Sequence, residues 1–572
     1  MLRGFRSKQI FTEFTLMCVA SAGAFAIGEF ADAAAVMYLY SLGESLSSHA
    51  YSRSKHRISE LLELTPDYAT VLRDGEAQRV VPQIVEVGES ILVVAGERVP
   101  LDGVVISGGG LADTSSVTGE AKPRELYEGA LCPSGAVLTD GSVTLSVSAV
   151  YEDSVVARLT QAVSEAGVRK SVSEKKIRRF AAVFTPVAFA VAVLTALVGA
   201  FVSGELLPWL RMGLTVLVIS CPCSLVLSVP LTYFAGIGAG ASRGIVVRGG
   251  EVMDSMCRLR AVAFDKTGTL TEVGLHFDGA EVYDGGLSES EFLDLSHAVL
   301  LHSPHAAAIS FCRTQKQTGE YTVTEVENRS GRGIVCFADG KQALFGNAAL
   351  MREHGIDMAD SPTTAIFGAW DGVLVGVLRF SSPVKEETAQ AVRELRALGV
   401  ERIAVLSGDG EASVKQACEE AAIGEYYASL TPAEKAEKFA EIGREERQKS
   451  KRATVAFCGD GLNDSAVIAS ADVGVAMGGC GSALTVSSAD IVLMEDDPRR
   501  LAEAIRLSRR TSRIAGQNIA LSLGLKLGIL LAGIVVSAGT GTGIPMGLAV
   551  VADVGAALLT VLNAMRAAKK KV

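Results

Sequence analysis

Asp265-Lys266-Thr267-Gly268-Thr269-Leu270-Thr271 follows directly on the apolar run Ala261-Val262-Ala263-Phe264. The run reads as a strand that ends where Asp265 begins, which places a carboxylate at a strand end. A carboxylate there can take a phosphoryl group covalently. The acyl phosphate so formed splits one hydrolysis into two steps and can be held while the protein changes shape.

Working outward, residues 243–513 alternate strands such as Arg402 to Leu406 and Thr454 to Phe457 with helical runs such as Lys385 to Leu398. That alternation predicts a parallel α/β sheet, whose chemistry sits at the carboxyl ends of the strands. Three further stretches fit there. Ser407-Gly408-Asp409 follows Val405-Leu406, and Cys458-Gly459-Asp460-Gly461-Leu462-Asn463-Asp464 follows Val455-Ala456-Phe457. Thr431-Pro432-Ala433-Glu434-Lys435 lies between them. Asp460 with Asp265 can hold Mg²⁺, a hard ion that takes oxygen ligands, and the backbone carbonyl of Thr267 would add a third. Lys435 can neutralise the oxygens of a transferring phosphoryl group, and Ser407 can donate a hydrogen bond to them. Asp409, Asn463 and Asp464 in the same loops are cofactor-binding candidates. Between Glu272 and about Leu378 the alternation is interrupted by separate strand and turn signals, which read as an inserted domain.

The chain has 572 residues, too many for one core, and 49% of them are hydrophobic. Its mean hydropathy is +0.32, which for this length points to membrane spans. A net charge of -10 argues against nucleic acid as a partner. No Cys-x-x-Cys pair occurs among the ten cysteines, so neither a zinc ribbon nor a disulfide scaffold is indicated. Ala181 to Val202 and Met212 to Ala241 are long and apolar, separated by Ser203-Gly204-Glu205. A second pair, Ile514 to Ser537 and Ile544 to Met565, carries one charge in each segment, Lys526 and Asp553. Phe14 to Ile27 and Ala33 to Leu46 form a third pair, giving about six spans. The first segment also has features of a signal peptide, with Arg3, Arg6 and Lys8 ahead of an apolar run. An even number of spans with basic ends, Arg3/Arg6/Lys8 and Arg566/Lys569/Lys570/Lys571, places both termini in the cytoplasm.

Within the second apolar run stands Ser220-Cys221-Pro222-Cys223-Ser224. Proline inside a helix frees a carbonyl one turn earlier, and residues two apart on a regular helix face nearly opposite ways. Cys221 and Cys223 can therefore converge on one soft metal ion only if the helix is unwound between them. Residues 57–179 are β-rich, with Tyr68 to Leu72, Gln78 to Val81, Ile91 to Val94 and Val143 to Val150 as strand candidates. They contain Ser116-Val117-Thr118-Gly119-Glu120.

The Asp265 stretch resembles the phosphorylation motif of the P-type ATPases, and the surrounding set resembles their haloacid-dehalogenase phosphotransfer core, up to Asp472-Val473-Gly474-Val475-Ala476-Met477-Gly478. The 57–179 segment resembles their actuator domain, whose Thr-Gly-Glu loop would use Glu120 to orient the water that attacks the acyl phosphate. The Cys221-Pro222-Cys223 span resembles the heavy-metal-transporting members. Copper pumps are expected to carry Tyr-Asn and Met-x-x-Ser-Ser patterns in the last spans. This chain has Asn518 to Lys526 and Ala552-Asp553-Val554-Gly555 instead, resembling the zinc, cadmium and lead exporters. A carboxylate suits a divalent ion, and two thiolates, Asp553, Lys526 and such an ion sum to zero charge. Lys526 is read as a built-in counter-ion that pairs with Asp553 when metal leaves. Glu29, with Asp32 and Glu44, could line an exit path. His305 falls where the family contacts adenine, although Pro304 precedes it rather than following. Gly331 and Gly333, with Gly346-Asn347, match the nucleotide-domain glycines.

The resemblance implies an α-helical membrane protein of about six transmembrane helices, with a β-rich actuator domain. It adds an α/β haloacid-dehalogenase-like phosphorylation domain carrying an inserted α+β nucleotide-binding domain. The expected divisions are residues 1–56 (helices 1 and 2), 57–179 (actuator), 180–242 (helices 3 and 4) and 243–271 (phosphorylation domain, first part). They continue as 272–378 (nucleotide domain), 379–512 (phosphorylation domain, second part) and 513–572 (helices 5 and 6). The family usually begins with two more helices and often a metal-binding domain, so the chain is expected to be either a compact natural form or one with a clipped start. The implied activity is ATP-driven export of Zn²⁺, Cd²⁺ or Pb²⁺ across the cell membrane, with ATP and Mg²⁺ as cofactors. Membrane lipid and the metal ion would be partners, and the protein a monomer. A copper exporter and a non-transporting phosphatase or regulatory ATPase are the alternatives.

Overall fold

The computed structural model describes residues 13–568 except 39, 43–44, 46–47, 49–65, 67, 74–75, 115–122, 158–170, 220–222, 273, 284–286, 317–318, 320, 330, 357–364, 461–463, 478–488 and 541–545. The chain divides into two compact units, residues 1–258 with 490–495 and 503–572, and residues 259–489 with 496–502.

In the first unit a seven-stranded sheet runs in the order Glu76–Val80, Ala69–Arg73, Ser90–Val94, Val137–Val147, Gly103–Asp113 and Arg124–Leu126, with Leu131–Cys132 also on Gly103–Asp113. Its two long strands cross at Gly108-Gly109-Gly110 and Gly141. A Cβ on Gly110 would stand 2.0 Å from the Asp140 carbonyl oxygen, and one on Gly141 2.1 Å from that of Gly109. Only glycine admits that approach; the sequence reading covers the end of one of these strands, in Val143 to Val150, but not Gly103–Asp113, whose central residues are glycines. Alternate residues such as Val71, Ile91, Val93, Leu138, Val143 and Leu145 fill the core.

The apolar helices of this unit are Glu13–Ala26, Val172–Ser203, Leu206–Ile219, Cys223–Ala241, the latter part of Arg499–Thr540, and Met546–Ala564. Among the described residues three stretches are long and apolar enough to cross a membrane: Val183–Ser203, Ser224–Ala241 and Leu548–Ala568. Met17–Ala26, Phe30–Leu42 and Leu206–Val218 are apolar but shorter. Three of the about six expected spans are thus matched by full-length stretches among the described residues. Across the Met212–Ala241 run the described helices are Leu206–Ile219 and Cys223–Ala241, and residues 220–222 between them lie outside the described residues. The first hinge is as expected, with Gly204 in the left-handed region (φ 75°) closing Val172–Ser203. That helix exposes Val183, Leu194, Leu197, Phe201 and Val202, an apolar surface suited to lipid.

In the second unit five parallel strands lie in the order Glu425–Tyr427, Arg402–Leu406, Leu259–Phe264, Thr454–Gly459 and Val473–Met477. The central strands are buried on both faces, as their unbroken apolar sequences require. A six-stranded antiparallel sheet is inserted, in the order His276–Val282, Val373–Ser381, Ala365–Trp370, Lys341–Gly346, Gly333–Ala338 and Val323–Arg329. Phe292, Leu295 and Phe311 from two helices pack on it in one core, and Leu350 and Met351 from a third helix in another.

Candidate active site and ion-binding site

Asp265 sits at the carboxyl end of the central Leu259–Phe264 strand, where its N–H still donates to the Cys458 carbonyl (2.8 Å) and extends the parallel ladder. The next residues close a single turn, Thr271 N–H to the Lys266 carbonyl at 3.1 Å, with Gly268 at φ 71°. A Cβ on Gly268 would come within 2.7 Å of Asp460 Oδ2, so glycine is needed for conformation and for space alike. Lys435 is delivered by a capping box: Thr431 Oγ1 accepts from Glu434 N–H (3.3 Å), and Glu434 Oε2 accepts from Thr431 N–H (2.8 Å). Pro432 opens the same helix, Pro432–Lys449. The Lys435 ammonium, buried, donates to Asp265 Oδ1 at 2.7 Å and Asp464 Oδ1 at 2.8 Å.

Oxygen atoms of Asp265, Asp460 and Asp464 lie within 4.8 Å of one another. Three hard oxygen donors in one small volume fit Mg²⁺. Burial, then the Asp464 carboxylate, push Asp265 up to about 7, against the pull of Lys435. Asp265, Thr267, Ser407, Asp409, Lys435, Asp460 and Asp464 line one cavity of about 320 Å³. Ser407 Oγ accepts from the Asp409 N–H (3.2 Å). Asp409 itself pairs with the buried Lys266 and accepts from Thr267 Oγ1 (3.0 Å), so here it clamps the loop. Burial opposes its charge, but Lys266 and Thr267 outweigh it and hold the Asp409 carboxyl below the usual range. Cys458, pushed up to about 12 by burial, is an inert core thiol.

His305 is exposed and caps the Ala306–Thr314 helix, its Nδ1 accepting from Ala307 N–H (3.3 Å). Gly331 (φ 70°) and Gly333 (φ 145°) take conformations that favour glycine, and a Cβ on Gly333 would meet the Phe345 carbonyl oxygen at 2.2 Å. Glu120, Cys221 and Asn463, as well as Glu44, lie outside the described residues, and of Cys223 only its place at the start of Cys223–Ala241 is described.

Among the apolar helices Lys526 Nζ donates to Asp553 Oδ1 at 2.5 Å, both side chains about nine-tenths buried. In the same group of helices the Ser224 and Ser522 hydroxyls hydrogen-bond, Asn518 Nδ2 donates to Thr232 Oγ1 (3.0 Å), and Asn563 Nδ2 donates to Asn518 Oδ1 (2.8 Å). Three helices are thereby tied by buried polar contacts, which apolar surroundings leave few alternatives to. Glu29 pairs with Arg211. The sequence reading missed Arg211, the Lys266–Asp409 pair and Lys385, whose partners are scattered along the chain or are bare carbonyls.

A family model described as the P-type ATPase actuator domain matches residues 63–164, and one described as haloacid dehalogenase-like hydrolase matches residues 259–472. A zinc-transporting ATPase of Synechocystis sp. is 39% identical over 577 residues, covering 100% of this chain and 78% of that protein. A zinc/cadmium/lead-transporting P-type ATPase of Escherichia coli is 34% identical, covering 100% and 77%. The crystal structure of a zinc-transporting PIB-type ATPase in its E2.Pi state is 34% identical and covers 99% of this chain and 92% of that one, with a TM-score of 0.64. On this likeness along nearly the whole chain, the protein belongs to the zinc-, cadmium- and lead-transporting branch of the P-type ATPases.

Proposed function

We propose that the protein exports Zn²⁺, Cd²⁺ or Pb²⁺ from the cytoplasm at the expense of ATP, with Asp265 as the residue that is phosphorylated. An Asp265 carboxylate oxygen attacks the γ-phosphorus, the bond to the ADP oxygen breaks, and ADP leaves. Lys435 and Ser407 stabilise the transferring oxygens, Lys435 leaving its two carboxylates to do so. Mg²⁺, when bound, supplies positive charge against the phosphate oxygens; Asp265, Asp460 and the Thr267 carbonyl would hold it. Asp464 keeps Lys435 in place, and Asn463 is a further candidate for contact with the nucleotide. Glu120 takes the proton of the water that then breaks the acyl phosphate. The adenine would meet His305, whose Nδ1 is used by the helix cap, beside Gly331 and Gly333.

The observation that carries the divalent cargo is the buried Lys526–Asp553 pair. Asp553 with the Cys221 and Cys223 thiolates offers the mixed oxygen and sulfur ligands that a divalent borderline ion accepts. Lys526 satisfies Asp553 when the ion is elsewhere. Read as one crossing, Leu206–Ile219 and Cys223–Ala241 make six crossings with the other apolar helices, Phe30–Leu42 included. Both termini and the soluble domains are then cytoplasmic. For Glu29 to line the exit, Arg211 has to swing away from it. One chain supplies every group in this scheme, so a monomer suffices.

The test is ATP hydrolysis by the protein in lipid with Zn²⁺, Cd²⁺, Pb²⁺ and Cu⁺ added separately, beside Asp553→Ala. Stimulation by the divalent ions, lost in the variant, is expected; stimulation by Cu⁺ alone would reverse the assignment.

A further inference from the structure

The phosphorylation loop is held from outside the cavity by a residue with no part in the scheme above. The Lys385 ammonium donates to the carbonyl oxygens of Gly268 (3.0 Å) and Thr269 (3.1 Å), and the Lys385 N–H to that of Leu270 (2.9 Å). Thr388 Oγ1 adds a second bond to Leu270 (3.1 Å). Lys385 is half-buried and makes no ion pair among the described residues. A cation that spends its donors on neutral carbonyls keeps its full charge, and the Lys385 field reaches Cys458, whose carbonyl binds the Asp265 N–H. Three carboxylates crowd that strand end against the buried Lys435 ammonium, the buried Lys266 being paired with Asp409.

Lys385 also ends a ribbon. The first and last strands of the inserted sheet pair at His276 with Ser381; beyond them Glu272 N–H donates to the Pro383 carbonyl (2.9 Å) and Thr271 bridges Val384. The two chains that join the inserted sheet to the site therefore run side by side until Lys385 grips the loop. Peptides 268 and 269 directly follow Thr267, so holding their planes restricts where the Thr267 carbonyl and the Asp265 side chain can point.

We propose that Lys385 is a positioning residue for phosphoryl transfer, orienting the Asp265–Thr269 loop through the Gly268 and Thr269 carbonyls at the point where the inserted sheet is tethered. This rests on Asp265 being the phosphorylated residue. A loop set slightly wrong slows attack on any phosphoryl donor without weakening the fold, and a shift of about 1 Å can cost about a hundredfold.

The experiment uses the full chain in lipid. Phosphoenzyme that is stable in acid and cleaved by hydroxylamine is measured from ATP and, separately, from inorganic phosphate, with thermal unfolding and binding of a non-hydrolysable ATP analogue alongside. Lys385→Met should slow both phosphorylations about ten- to a hundredfold, with analogue affinity and unfolding temperature near those of the parent. Lys385→Arg, which keeps charge and reach, should recover most of the rate. Lys385→Gln, a neutral donor of similar length, should fold like the parent and remain slow, and it serves if the Met variant does not fold. Phosphorylation of the neutral variants at the parent's rate would overturn the proposal, as would losses that simply follow a lowered unfolding temperature with no recovery in Lys385→Arg. A parent that forms no such phosphoenzyme, or an Asp265→Asn variant that still does, would overturn the nucleophile and this inference with it.

Discussion

At the residue scale Asp265, the proposed phosphoryl acceptor, is a carboxylate whose burial works against its charge. Its pKa, about 7 in the fold against 3.8 as the ordinary value, is raised, so the proton it retains stabilises the folded state. That contribution is complete below about pH 4 and is lost as pH rises through about 7. Asp265→Asn keeps the shape without the charge and leaves Lys435 its Asp464 partner, so at pH 8 it should unfold at a temperature equal to or above the parent's. Calorimetry at pH 8 and pH 5 checks this, and the gap between the two proteins should narrow at the lower pH. His305 separates two roles in one side chain. Asn caps helices as well as His can, so His305→Asn should leave stability within about 0.5 kcal/mol while raising the ATP concentration needed for half-maximal phosphorylation. An unchanged ATP dependence would leave the residue a helix cap and nothing more.

At the scale of elements, close approach between helices is set by glycine. A Cβ on Gly199 would stand 1.9 Å from the Trp209 ring, and one on Gly213 2.7 Å from the Ala192 carbonyl oxygen. Gly199→Ala should destabilise the Val172–Ser203 and Leu206–Ile219 hairpin by about 1–3 kcal/mol, seen as a lower unfolding temperature in detergent. What the sequence made legible follows the same physics. The Arg402–Leu406 strand and the Asp265, Asp409 and Asp460 loops were readable because apolar runs ending in Gly and Asp signal strand ends. Thr431–Lys435 was picked out as a site stretch, while its capping box, local as that chemistry is, came from the structure. The Gly103–Asp113 strand was not, since its glycines read as turn. Lys385 was not either, because a lysine that binds main-chain carbonyls leaves no pattern in side chains. The expected boundary at 512/513 falls inside the unbroken helix Arg499–Thr540, where no Gly or Pro interrupts residues 499–515.

At the scale of the whole molecule, transport needs the ion-binding residues to be satisfied with and without cargo. Lys526→Met removes the internal partner of Asp553 and leaves a buried carboxylate unpaired. Metal bound per molecule after phosphorylation should rise and turnover should fall, a pair of changes that metal analysis of trapped protein and a hydrolysis assay measure together. The Arg499–Thr540 helix carries Lys526, and 42 residues at 1.5 Å each make it about 63 Å long. In such a rod, sequence length is angular phase. One residue inserted between Arg499 and Lys526 would turn the lysine by about 100°, away from Asp553, whatever residue was chosen; four would bring it back to within about 40°, one turn too far along. A substitution in this segment that keeps the helix leaves the phase of Lys526 untouched, whereas an insertion or deletion removes the pair with Asp553 without altering either residue.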